Sequence, residues 1–113
     1  MHLQTHTQPG VMTVEVMEDR IDAATAIQFK ERMRDITQAA DHRVVLDLGR
    51  VQFLDSSGLG SIVAVKKLLH PDRVLELARL TPTVEKVFHL TRMDTVFTIH
   101  ASLEAAIAHA ASA

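Results

Sequence analysis

The sequence predicts a single α/β domain: a mixed, mostly parallel sheet that opens with an N-terminal hairpin and has helices packed on it. Three observations lead there. Val44-Val45-Leu46-Asp47-Leu48 is a nearly continuous apolar run, as expected of a central strand covered on both faces. Apolar residues before and after it recur at three- and four-residue spacing, the pattern of amphipathic helices. Strand-like and helix-like stretches alternate along the chain, which implies right-handed crossovers between parallel strands. A chain of 113 residues has room for one domain with a sizeable core. It contains no linker, repeat or low-complexity segment, so residues 1–113 are read as one unit.

The first ten residues are polar and end in the turn signal Pro9-Gly10. Leu3 to Thr7 are expected to form a short edge strand. From Val11 to Met17 the pattern alternates, with Val14 and Val16 on one face and Thr13 and Glu15 on the other, a half-buried strand. Glu18 to Asp22 read as a loop, with Asp22 the N-cap of the next helix. In that helix Ala26, Phe29, Met33, Ile36 and Ala40 form one apolar stripe. Asp41-His42-Arg43 reads as a polar break before the central run. Asp47 inside the run is expected to bond to local backbone.

Beyond the central turn, Leu59, Ile62, Val63, Val65 and Leu69 share a helical face, and Lys66 on that face is expected to snorkel. His70-Pro71-Asp72 ends the helix. A strand is expected over residues 74–78, then a helix opening at Thr81-Pro82 with Val84, Val87 and Phe88 inward. A last short strand is expected over residues 96–99. Ser102 caps a terminal helix whose buried stripe is Leu103, Ala106, Ile107 and Ala110.

The chain is organised around Val51-Gln52-Phe53-Leu54-Asp55-Ser56-Ser57-Gly58-Leu59-Gly60. Asp and Ser accept hydrogen bonds from the free amides at a helix N-terminus, so Asp55-Ser56-Ser57-Gly58 suits a tight turn feeding a helix. The hydroxyls then lie at the positive end of the helix dipole, where an anion is best tolerated. Gly58 and Gly60 allow close backbone approach. Gly58 is expected at the exposed end of the helix, where a bulky side chain would stand in a docking surface.

This block, together with residues 44–48, resembles the signature of STAS domains, and among them the bacterial anti-sigma-factor antagonists. The resemblance extends over about residues 11–108. It implies a STAS-like fold and a switch protein rather than an enzyme. The serine directly after the aspartate, here Ser56, is the family's phosphorylation site. Asp55 helps to position it for a partner that is both anti-sigma factor and serine kinase. Unphosphorylated, such a protein binds that partner and frees a sigma factor for transcription; a serine phosphatase reverses the modification. The implied docking residues are Asp22, Asp55, Ser56, Ser57, Gly58, Leu59 and Gly60. No cofactor is implied. Where the family usually reads Gly-Glu-Leu-Asp, this chain has Asp19-Arg20-Ile21-Asp22, keeping the aspartate and replacing the glycine. Two other classes stay open: an unphosphorylated STAS adaptor in a signalling or lipid-transport complex, and a small-ligand or nucleotide-binding STAS module.

Other chemistries find little support. A formal net charge of −2 and the absence of Trp and Tyr argue against nucleic acid. There is no cysteine, so no disulfide or thiol chemistry, which fits a reducing cytosol. No apolar run approaches a membrane span, and the first residues lack the pattern of a signal peptide, so the expected location is cytoplasmic. The seven histidines, at 2, 6, 42, 70, 89, 100 and 109, are scattered over different elements and offer no metal site. The turn lacks the first glycine of a Gly-x-Ser-x-Gly elbow, and Gly58-Leu59-Gly60 is only a fragment of a nucleotide-binding loop.

Overall fold

A computed structural model describes residues 1–112, with side chains through Ala108. The side chains of His109 and Ala110 lie outside the described residues. Strands β1 (Leu3–Gln8) and β2 (Val11–Val16) form the antiparallel hairpin, turning at Pro9-Gly10 with Gly10 at φ +81°. That φ is open to glycine at no steric cost. β2 then pairs in parallel with β4 (Arg43–Asp47), β4 with β6 (Val74–Ala78) and β6 with β7 (Ile99–His100). The sheet order is β1-β2-β4-β6-β7, so the apolar run does occupy the middle strand, buried throughout.

The two faces of the sheet are covered unequally. Met12, Val14, Val16, Val44, Leu46, Leu75 and Leu77 point to the main core. There they meet Phe29 and Met33 of α1 (Ala26–Ile36), Ile62, Val65 and Leu69 of α2 (Ser56–Leu69), and Val84 and Phe88 of α3 (Pro82–Leu90). On the opposite face Val11, Val45 and Ala78 pack against Ala106 of α4 (Leu103–Ser112), with Leu103 partly buried beside them. Ser102 caps that helix, its Oγ accepting from the Ala105 amide at 3.0 Å.

Four expectations need correction. Arg43 is not part of a polar break but the first residue of β4, because its charge is neutralised inside the fold. Its Nε and Nη2 donate to Glu76 at 2.9 and 2.5 Å, Nη2 also donates to the Ala106 carbonyl at 3.1 Å, and Glu76 lies 2.6 Å from His100 Nε2. The expected loop at 18–22 contains a two-residue strand, β3 (Arg20–Ile21), parallel to β5 (Phe53–Leu54). Asp22 caps a turn rather than the helix itself. Its Oδ1 accepts from the Ala24 amide at 3.1 Å, and α1 begins only at Ala26. The last strand lies later than residues 96–99. Residues Met93–Thr95 form a 3₁₀ turn that delivers Phe97 edge-on to Phe88 at 5.8 Å, and pairing begins at Ile99.

Two polar residues behave as expected and do more besides. Asp47 accepts from the Gly49 amide at 2.9 Å and also from Arg79 Nε at 2.9 Å. Lys66 is half-buried, in keeping with a snorkelling side chain, and its ammonium lies 5.5 Å from the centre of the Phe97 ring.

Candidate functional site: the N-terminus of helix α2

The site is built where two loops are laced together. The Asp19 carbonyl accepts from the Gln52 and Phe53 amides at 2.7 and 3.2 Å, and the β3–β5 pair continues the lacing. Asp55 closes it. In extended backbone, it accepts from the Gly58 amide through Oδ1 at 2.8 Å, the N-cap bond the sequence leads one to expect. Its other oxygen accepts from the Ala23 amide at 3.1 Å, across to the loop before α1. One carboxylate therefore fixes both the start of α2 and the position of the Asp22 turn. A charged acceptor makes stronger bonds to amides than a neutral one, so this clamp also holds the two loops in register.

Ser56 and Ser57 are the first two residues of α2, and both are exposed. Their amides belong to the group at a helix start that has no intrahelical acceptor, and the helix dipole is positive there. An anion on Ser56 Oγ would meet a favourable backbone field. Asp22, Asp55 and Leu59 are half-buried, and Leu59 packs against the main core. The fold thus gathers Asp22, Asp55, Ser56 and Ser57 at one end of the molecule.

Gly58 does not sit in open surface as expected. It is buried, and a Cβ there would lie 2.1 Å from the Ile21 carbonyl oxygen and 2.7 Å from Leu54 Cδ1. Its lack of a side chain is what lets α2 start against β3. Gly60 is the reverse case: it is exposed, and a Cβ there would meet nothing within 4 Å. A glycine in an exposed helix interior costs about 1 kcal/mol relative to alanine, and no internal contact offsets that cost here.

The sequence reading gave no role to three residues near this end. Phe53 is exposed, with the Arg20 guanidinium 5.9 Å from its ring centre. Ile27 and Lys30 stand on α1 beside Ser57. The available signal was Ile27 itself, an apolar residue off the Ala26-Phe29-Met33 stripe. Among the described residues no His, Asp and Glu cluster could hold a metal ion, and no helix is long and apolar enough to cross a membrane.

Comparison with known proteins identifies the family of the chain. The model of the STAS domain family matches residues 2–106. A protein of Bordetella bronchiseptica named "Putative anti-sigma factor antagonist BtrV" is 32% identical over 98 residues, covering 86% of this chain and 84% of its own. The crystal structure of an anti-sigma factor antagonist from Mycobacterium paratuberculosis superposes with a TM-score of 0.84 at 25% identity, over 96% of this chain and 92% of that one. The anti-sigma factor antagonist SpoIIAA in its unphosphorylated form shares the fold with a TM-score of 0.77 at 22% identity, over 99% and 98% of the two chains. The laced loops, the Asp55 clamp and the exposed serines thus belong to a STAS-domain protein of the anti-sigma factor antagonist family.

Proposed function

We propose that this chain is a phosphorylation-switched antagonist: with Ser56 unmodified it docks on an anti-sigma factor that is also a serine kinase, and so frees a sigma factor. The observation that carries the reading is Ser56 itself, exposed at the first position of α2 directly after a clamped aspartate. A kinase needs a hydroxyl it can reach on a backbone that does not wander; the exposure of Ser56 meets the first need and the Asp55 clamp the second. The protein performs no chemistry in this scheme. The partner transfers the phosphoryl group to Ser56 Oγ, and a serine phosphatase removes it.

The switch works because the fold tolerates what the interface does not. A phosphate adds between one and a half and two negative charges. On the free protein the helix N-terminus offsets that charge. Against a docked partner the same charge and bulk must be accommodated and desolvated. Asp22, Asp55, Ser57 and Leu59 shape the rest of the docking end, while Gly58 supports it from beneath.

Incubation with ATP and a purified anti-sigma factor of the same genome that carries a serine-kinase domain tests the assignment. Peptide mapping by mass spectrometry is expected to place one phosphate on Ser56 in the wild type and in Ser57→Ala, and none in Ser56→Ala. Ser56→Ala loses at most about 1 kcal/mol of capping and stays folded. Phosphate still incorporated into Ser56→Ala would remove Ser56 as the acceptor and leave an unswitched adaptor as the better reading.

A further inference from the structure

We infer that the groove between α1 and α2, at Gly60, receives an apolar side chain of the anti-sigma partner, with a neighbouring carboxylate of that partner pairing with Lys30. The inference rests on the antagonist reading and names the contact that would give it affinity.

Three observations carry it. The groove has a volume of about 290 Å³, and Ile27, Lys30, Ser57, Gly60 and Ala64 are among its walls. It runs directly into Ser57, the neighbour of the phosphate acceptor, so one docked partner would cover both. Its apolar wall is exposed: Ile27 is 67% accessible, whereas the stripe residues Phe29 and Met33 on the same helix are fully buried. Gly60 has no internal explanation. The clash that explains Gly58 is missing, and the space a side chain would fill opens into the groove. A glycine that costs helix stability and relieves no contact within the chain is accounted for by close approach from outside.

The charge at the rim selects the occupant. Lys30 is the charged side chain among the groove residues and makes no ion pair among the described residues. A cation beside an apolar hollow fits an aliphatic or aromatic anchor followed or preceded by Asp or Glu. Burying one such anchor in a close-fitting pocket is how most interfaces concentrate their affinity.

Titration of the purified serine-kinase anti-sigma factor with wild type, Gly60→Leu, Lys30→Glu and Ser56→Asp, with thermal melting of each, tests the inference. Leucine is a good helix former, so Gly60→Leu is expected to melt no lower than wild type. It is expected to bind about tenfold or more weakly. Lys30→Glu is expected to bind more weakly at low salt, with the gap closing as salt screens the contact. Wild-type affinity in Gly60→Leu overturns the inference, as does a clear fall in its melting temperature, which would give the glycine an internal role. If Ser56→Asp weakens binding while Gly60→Leu does not, only the groove assignment falls. If the wild type itself fails to bind, the antagonist reading falls and takes the groove with it.

Discussion

Glu76→Ala is expected to lower stability by about 3–5 kcal/mol, the cost of leaving a buried charge without its partner. Arg43 and Glu76 are each only 8% exposed, so the guanidinium stays buried when its partner is removed. Among the described residues Arg43 Nη1 has no hydrogen-bond partner. The loss also reaches α4, because the same guanidinium donates to the Ala106 carbonyl. For a chain of this length 1 kcal/mol corresponds to about 4 °C, so the melting temperature should fall by more than 10 °C. The double variant Arg43→Met with Glu76→Leu should recover most of the loss, since an apolar pair of similar volume often matches a buried ion pair. Denaturant unfolding of wild type, single and double variant checks this; a single variant within 1 kcal/mol of wild type would show that the cluster adds nothing.

The same cluster gives the fold an acid-sensitive component. Burial acts to raise the Glu76 carboxyl, but the hydrogen bonds and charges of Arg43 and His100 outweigh it, and the group is held below its ordinary value of 4.5. A carboxyl lower in the folded than in the unfolded state contributes stability that is complete above the unfolded value. That stability is lost as pH falls through the folded one. The wild type should therefore lose stability below about pH 4.5 by an increment that the Arg43→Met, Glu76→Leu variant lacks.

Gly58→Val is expected to destabilise by about 3 kcal/mol or more, at the upper end of overpacking substitutions. The atom that a Cβ would strike at 2.1 Å is the Ile21 carbonyl oxygen, which is backbone and part of the β3–β5 pair, so relief requires parting the two laced loops. Gly60→Ala, two residues on, is the control: with nothing within 4 Å of the new methyl it should stabilise by about 0.5–1 kcal/mol. Thermal melting of both variants decides the matter. Equal melting temperatures would mean that α2 can shift off β3 freely. If Gly58→Val melts lower, as expected, weak partner binding by that variant is read through the displaced loops, not through a side chain standing in the interface.

What was legible in the chain follows from where the information lies. Residues 44–48 announce a central strand because four of the five are aliphatic, and the Asp-Ser-Ser-Gly turn announces a helix start because capping is local chemistry. Arg43 gave no such sign. Its place inside β4 depends on Glu76, 33 residues away, and a lone arginine beside Asp41 and His42 looks like a loop. Strand β3 is two residues long, too short to show a period, and exists through Phe53 and Leu54. Gly58 and Gly60 look alike in the sequence. The Ile21 carbonyl separates them, and it reaches Gly58 only through the loop pairing that the sequence reading missed. At the site, the cap from Asp55 to Gly58 was legible, while its second bond to Ala23 was not, since nothing local brings residues 23 and 55 together.

The central claim is that charge at Ser56 undoes docking while leaving the fold intact, and titration of the purified serine-kinase anti-sigma factor tests it most directly. The forms compared are the unmodified chain, the chain phosphorylated on Ser56, Ser56→Ala and Ser56→Asp. All four are expected to melt within a few degrees of one another. Ser56→Ala should bind like the unmodified chain. An unpaired charge buried in an interface costs about 2–5 kcal/mol, or roughly 30-fold to several-thousand-fold in affinity. Ser56→Asp should fall near the low end of that range, and the phosphorylated chain, with more charge and bulk, beyond it. Equal affinity of the phosphorylated and unmodified chains would contradict the account.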